Sequence, residues 1–487
     1  MDNNERNKIL FKSANKLRGA LAAQEYMHVV LGLIFLKYLS DRFVKRKNEL
    51  IAEGKGFEND SDFYTSKMVF WVPEESRWEF ISKFSKEEEL GKRLDQAFIN
   101  IEDVNPSLKN ILPKTYSKLE VDKRSLGELV DLFTNELDTT NTEGDFIGKV
   151  YEYFMGKFNN KNDGGEYYTP QCIVDLLVNM IKPFEGKVYD PCCGSGGMFV
   201  QSAKFVEGHQ GSLHDISVYG QEKIATTWRL AKMNLVIRGI EADLGESHGD
   251  TFHDDKHKSL RADYILANPP FNIKDYGHDL LLEDPRWNYG TPPEGNANFG
   301  WIQHIYSKLS PNGVAGFVLA NGSLSTKQEH EIRKAMIEDG VIDCIITLPD
   351  KLFLTFKGPT CLWFIRKKQL KEETLFINAD NMGVMIDRAN RELTSKEIEK
   401  ITTTYHNWLK DDDYKDEKGF CFSADKNTIK EHDYTLVSAR YVGIDTSDEL
   451  TTEEIETQLK VVGTELKELL KKDEELKVKL NSILEIL

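Results

Sequence analysis

The sequence predicts an α/β fold: a parallel central sheet, preceded by a helical domain and followed by a helical, coiled-coil segment. Three observations carry this. From residue 165 to 367, short apolar runs alternate with helical patterns, as a parallel α/β sheet requires. Before that, residues 1–158 are mostly helical in pattern. At the end, Ile455, Leu459, Val462, Leu466, Leu469, Leu476, Leu480, Ile483 and Leu487 follow a 4-3 spacing broken only at Asp473, which is a heptad seam.

The elements follow in order. Asn7 to Tyr38 carries apolar residues at helical spacing without proline. Trp71, Trp78 and Phe80 mark an irregular stretch, and Leu126–Phe133 and Phe146–Phe158 read as further helices. The polar run Asn159 to Gly165 is a domain joint. Thr169 reads as an N-cap with Pro170 at the first helical position, opening a helix to about Ile181. Strand ends are expected at Val188–Asp190, at Val218–Gln221 with Glu222 closing it, and near Asp250, and a strand at Tyr264–Ala267. Later strands are expected at Val314–Ala320, Val341–Leu348 and Thr360–Arg366. The long, polar segment Asn272 to Asn298 is expected to close over a substrate. The domain reading is therefore 1–158 helical, 159–367 catalytic, 368–450 a mixed extension, and 451–487 a heptad helix for docking.

Composition narrows the class. A 487-residue chain with 40% apolar and 29% charged residues suits two to four folded domains. The apolar stretch Val29–Leu36 is cut by Lys37 and Asp41, too short to span a membrane, and no signal-peptide pattern is present. The six cysteines are scattered without a C-x-x-C pair, so neither a zinc site nor a disulfide framework is expected, and the compartment read from this is a reducing cytoplasm. Cys192 and Cys193 read as small packing residues beside a glycine turn.

The chemistry-bearing residues fall at strand ends. Asn268-Pro269-Pro270-Phe271 directly follows an apolar strand that two prolines must terminate. The carboxyl ends of strands are where open α/β sheets bind ligands. Asn268 Oδ1 and the Pro269 carbonyl suit the two hydrogens of an exocyclic amine on a planar base, and Phe271 suits its ring. Asp190 to Gly197 forms a glycine turn (Gly194, Ser195, Gly196, Gly197) after the first strand, which lets backbone approach a ligand. No Lys-Ser or Lys-Thr follows, so it is not a P-loop. Glu222, at the next strand end, suits the two ribose hydroxyls of an adenosyl ligand. Asp250 suits an adenine amine, with Phe252 against the ring. Glu166, Tyr167, Tyr168, Thr169, Pro170 and Gln171 precede the sheet, where a helix start and a hydroxyl suit a carboxylate.

Taken in this order, the motifs resemble those of S-adenosylmethionine-dependent adenine-N6 methyltransferases, and in particular the modification subunits of type I restriction–modification systems. The likeness reaches beyond the sheet, to Val30–Ser40, Gly148–Tyr153, Asp433–Leu436 and Arg440–Val442. It implies a Rossmann-like methyltransferase sheet with S-adenosyl-L-methionine as cofactor. The cofactor residues it implies are Glu166 to Gln171, Ser195 to Gly197, and Glu222; Asn268 to Phe271 are implied as catalytic. Cys192-Cys193 replaces residues that are often alanine in the family. Phe353 is the candidate for a second aromatic against the target base. The resemblance also implies double-stranded DNA with an everted adenine as substrate. As partners it implies a specificity subunit, two copies of this chain per complex, and a restriction/motor subunit. A net charge of -17 fits this, since phosphate contacts need Lys and Arg that another subunit would provide. A stand-alone DNA methyltransferase, a protein-glutamine or RNA methyltransferase, and a non-catalytic assembly subunit use the same turn or fold and stay open at this point.

Overall fold

The structure is a computed structural model that describes residues 9, 12–13, 23–118, 123–139, 150, 169–353, 356, 358–388 and 390–443. Apart from Val150, the helix expected over 146–158 lies outside the described residues, as do the clamp residues Glu166, Tyr167 and Tyr168 and the heptad helix 451–487.

The N-terminal part is helical. Helix α1 (Ala23–Glu53) runs well past the Tyr38 expected from the apolar pattern. Residues 29–40 of it are buried on every face, the mark of a core helix. Helices α2 (Leu90–Val104) and α3 (Lys123–Glu136) pack around it through Leu94, Phe98, Leu129, Val130 and Phe133. The stretch around Trp78 is tied down by polar contacts. Trp78 donates its backbone N–H to Ser40 Oγ at 2.8 Å and its indole N–H to Thr134 Oγ1 at 3.0 Å.

The second part follows in the order α4 (Gln171–Ile181), β1 (Gly186–Asp190), α5 (Gly197–Gly208), β2 (Ile216–Gly220), α6 (Ala225–Val236), β3 (Ala242–Asp243), β4 (Ala262–Ala267), α7 (Asn298–Lys308), β5 (Leu309–Ala320), α8 (His330–Glu338), β6 (Ile342–Thr347), β7 (Thr360–Arg366) and β8 (Thr374–Asn378). A small hairpin, β9 (Val384–Met385) with β10 (Arg391–Glu392), then α9 (Ser395–Lys410), β11 (Cys421–Ala424) and a short helix, α10 (Lys426–Glu431), follow. Among the described residues, nine strands form one sheet in the order β11-β8-β6-β7-β5-β4-β1-β2-β3. β3, β2, β1, β4 and β5 are mutually parallel, while β7 runs antiparallel between β5 and β6. The extension beyond residue 367 is built onto this sheet: β8 pairs with β6, and β11 pairs with β8.

Helices cover both faces, as a parallel sheet needs. Successive residues of β7 point to opposite sides. Trp363 meets Phe299 of α7 at 5.9 Å on one face, and Phe364 meets Tyr405 of α9 at 5.8 Å on the other. Gly316 of β5 is required on that second face, because a Cβ there would come within 2.7 Å of Phe364 and 3.2 Å of Leu177 in α4. Gly316→Ala is expected to destabilise the protein by about 1–3 kcal/mol through overpacking, read as a lower urea midpoint at unchanged slope. The helical part docks on this body: Leu230, Met233 and Ile237, in and just after α6, lie within the core formed by α1, α2 and α3.

Two expected bounds differ. β3 stops at Asp243, and Gly245, at φ +75°, turns the chain away, so Asp250 lies on a loop rather than at the strand's end. Helix α4 begins one residue later than its proline suggests. Pro170 is the N-cap, with extended backbone (ψ 143°), and its carbonyl accepts from Ile173 and Val174 N–H. Among the described residues no helix is long and apolar enough to cross a membrane.

Candidate functional site

From β1 the chain crosses to β2 on one side, while β4 lies on the other, so a crevice opens at the carboxyl ends of β1 and β4. It holds a cavity of about 330 Å³. Eleven of the sequence-predicted residues line it: Thr169 and Gln171 from the start of α4, Asp190, Gly194, Ser195 and Gly197 after β1, Glu222 after β2, Asp250 and Phe252, and Asn268 and Pro270 after β4. Pro170, Gly196, Pro269 and Phe271 do not line it.

The glycine turn is shaped by left-handed backbone. Gly194 (φ +53°) and Gly196 (φ +80°) adopt conformations that side chains disfavour, and Gly196 caps α5. A Cβ at Gly194 or Gly197 would meet no protein atom within 4 Å, so the turn leaves open room. Asp190 fixes its start by accepting the Cys192 N–H at 2.9 Å. Glu222 braces it from β2: its carboxylate accepts the Gly194 N–H at 3.1 Å and the Ile224 N–H at 2.7 Å. Burial pushes the Asp190 carboxyl up to about 7. Burial also raises Glu222, although the backbone N–H groups oppose it. The Cys192 and Cys193 thiols are pushed well above their ordinary value by burial, which suits packing rather than reactivity.

Asp250 is placed differently from its neighbours. Its carboxylate pairs with Lys223 Nζ at 2.9 Å and accepts the Phe252 N–H at 2.9 Å. Burial would raise it, but these partners outweigh burial and hold it below the usual carboxylate range. Phe252 is buried against Trp301 at 4.5 Å between ring centres, and both rings line the cavity.

At the end of β4, Asn268 Nδ2 donates to Thr169 Oγ1 at 2.9 Å. This contact joins two motifs 99 residues apart and sets the orientation of the amide. Thr169 therefore acts on the asparagine rather than capping its own helix, which has no side-chain cap. Phe271 is buried edge-on to Phe353 (5.9 Å, 82°) and Phe356 (5.3 Å, 69°), which puts three aromatic rings together after β4.

The segment after the tetrapeptide is walled in. Ile273, Asp275 and Tyr276 line the cavity, and Tyr276 and Leu281 share a small core with Phe252, Ala297 and Trp301. Sequence reading missed Tyr276 and Trp301 as cavity residues. Their aromatic character beside the Asn268 turn and at the start of α7 was the available signal.

The comparisons with known proteins agree with this geometry. The family model for N-6 DNA methylases matches residues 142–450, and that for the HsdM N-terminal domain matches residues 7–133. The chain belongs to the N-6 DNA methylase family. Within it, the chain groups with type I restriction enzyme methylase subunits. It is 42% identical to the HindI methylase subunit of Haemophilus influenzae over 76% of this chain and 90% of that protein. It is 36% identical to the MjaIX methylase subunit of Methanocaldococcus jannaschii over 98% of this chain and 90% of that one. Among solved structures, a type I restriction–modification methyltransferase subunit from Streptococcus thermophilus aligns with a TM-score of 0.74 at 26% identity, covering 90% of this chain and 98% of that one. As an N-6 DNA methylase, the chain is an S-adenosylmethionine-dependent enzyme that methylates adenine N6 in DNA. Its cavity suits that cofactor. The open space over Gly194 and Gly197, the buried acid Glu222 beside it, and the aromatic wall of Phe252 and Trp301 match a nucleoside with a flexible, charged tail.

Proposed function

We propose that this chain is the modification subunit of a type I restriction–modification complex, methylating an adenine everted from DNA at the sequence chosen by a separate specificity subunit. One observation carries the reading. The Asn268 amide, oriented by Thr169, opens onto the same cavity as the glycine turn and Glu222.

In this reading Glu222 holds the ribose hydroxyls. Each carboxylate oxygen accepts one backbone N–H and has a further lone pair to offer. Thr169 and Gln171, with Glu166, Tyr167 and Tyr168 before them in the chain, hold the methionine end, and Asp250 with Phe252 the adenine. When bound, S-adenosylmethionine supplies an electrophilic methyl group. The chain's own residues prepare the nucleophile. Adenine N6 is a weak one, because its lone pair is delocalised into the ring. Asn268 Oδ1 and the Pro269 carbonyl accept its two hydrogens and favour a pyramidal nitrogen. Positioning of this kind contributes up to about 7–11 kcal/mol. The target amine is inaccessible in a stacked duplex, so eversion costs a few kcal/mol. Stacking on the aromatic group of Phe271, Phe353 and Phe356 returns about 1–3 kcal/mol.

Asp190 makes donor binding depend on pH. With its carboxyl up at about 7, it is largely neutral at pH 6 and ionised at pH 8. The ionised form attracts a cationic donor, so S-adenosylmethionine affinity is expected to rise through this window, by up to about tenfold per pH unit. Calorimetry between pH 6 and 8 checks this, and Asp190→Asn is expected to flatten the profile.

The specificity subunit provides the phosphate contacts that a chain of net charge -17 lacks, and the heptad segment 451–487 docks the chain to its partners. Two copies of the chain per specificity subunit, joined by a restriction/motor subunit, complete the complex. The test is co-purification with the neighbouring gene products, followed by a DNA methylation assay. N6-methyladenine formed at one sequence, only when the specificity subunit is present, is the expected result. Sequence-specific methylation by the purified chain alone would make it a stand-alone enzyme, and no methylation in any complex would overturn the reading.

A further inference from the structure

The long segment between the tetrapeptide and α7 meets the cavity at one end and a saturated arginine at the other. Arg286 has five N–H donors in a rigid fork. All five have partners. Nε and one Nη2 donor engage both oxygens of Asp284, at 2.8 and 2.6 Å. The second Nη2 donor reaches the Phe252 carbonyl at 2.5 Å. The Nη1 donors reach the Thr251 carbonyl at 2.9 Å and His304 Nδ1 at 3.0 Å. The ion pair is nearly enclosed, with 13% of each side chain exposed.

His304 takes part as a neutral ring. It is fully buried in α7, and burial first, then the charges of Arg286 and Lys308, hold its pKa well below the ordinary value. Because a guanidinium only donates, His304 Nδ1 must accept, which places the ring proton on Nε2, facing Tyr189 of β1 at 3.3 Å. Thr251 is tied from the other side as well, its hydroxyl donating to the Pro191 carbonyl at 2.5 Å. The 250–252 turn is thus held between the end of β1 and the Arg286 fork.

We propose that Arg286 is a positioning residue for the methyl donor: by gripping the Thr251 and Phe252 carbonyls, it fixes the turn against which the donor's adenine lies. The segment from 272 to 297 is accordingly a locked wall rather than a lid. This rests on the reading that the cavity takes the adenosyl group. Lysine keeps the charge but concentrates its donors on one atom, so it cannot reach two carbonyls, His304 and Asp284 together.

The experiment compares wild type with Arg286→Lys and Arg286→Ala in the full complex. Arg286→Lys is expected to raise the S-adenosylmethionine Kd and KM by about tenfold, leaving kcat at saturating donor and the KM for DNA within about twofold. Arg286→Ala is expected to raise donor KM further. Unchanged donor affinity in both variants, or a fall in kcat at unchanged donor KM, overturns the inference. Amide hydrogen exchange on wild type covers the case in which the variants do not fold. Phe252 and Trp287 amides are expected to be protected before donor is added, and fast exchange there overturns the locked wall. If wild type binds no donor in this cavity, the adenosyl reading itself falls; if wild type binds and Arg286→Lys binds equally, only this inference falls.

Discussion

Asn268→Ala is expected to lower methylation by about a hundred- to a thousandfold while leaving S-adenosylmethionine affinity within about twofold, because one oriented hydrogen-bonding group at a reacting centre is worth some 3–4 kcal/mol. The split follows from where Asn268 sits. It follows β4 and its amide donates to Thr169, whereas Glu222 accepts the Gly194 N–H of the glycine turn. Asn268→Asp keeps an acceptor oxygen but replaces the N–H that meets Thr169, so it should fall between wild type and alanine. Steady-state kinetics with saturating donor, paired with calorimetry, checks both halves. Full activity in Asn268→Ala would remove the residue from the reaction.

Glu222→Ala should produce the opposite split. Glu222 is 7% exposed, and its carboxylate holds two backbone N–H groups of the cavity wall. Hydrogen bonds to a charged group contribute about 1.5–3 kcal/mol each, so losing the brace and the ribose acceptor should weaken S-adenosylmethionine binding by about a hundredfold or more. Glu222→Gln retains one acceptor oxygen and should lose less. Calorimetry is the measurement, and unchanged affinity in the alanine variant would contradict the role.

Much of this site was legible in the sequence because its parts obey local rules. Two prolines must end a strand, and Asn268 to Phe271 do stand at the end of β4. Glycines mark left-handed turns, and Gly194 and Gly196 occupy them. Apolar runs of strand length located β1, β2, β4, β5, β6 and β7 to within a few residues, although β5 begins five residues early, at Leu309. What escaped was tertiary. Thr169 looked like a cap because Thr-Pro commonly opens helices, yet its hydroxyl meets an asparagine 99 residues away. Asp250 reads as an acceptor for an adenine amine, and its pairing with Lys223 cannot be read from the sequence. The segment 272–298 looked like a lid because it is polar and rich in Gly and Pro. What no local pattern encodes is that Arg286 of this segment reaches the Phe252 carbonyl and that Tyr276 packs with Phe252 and Trp301. The residues 368–450 read only as a mixed extension, because β8 and β11 are short, and their pairing with the sheet is a long-range contact.

The most direct test of the account is a crystal structure of the chain with the non-reactive donor analogue sinefungin. The account predicts its ribose on Glu222, its adenine beside Phe252, and its amine-bearing carbon, which stands in for the methyl-bearing sulfur, turned toward Asn268. An analogue bound elsewhere, or seated with that carbon facing away from Asn268, would contradict it.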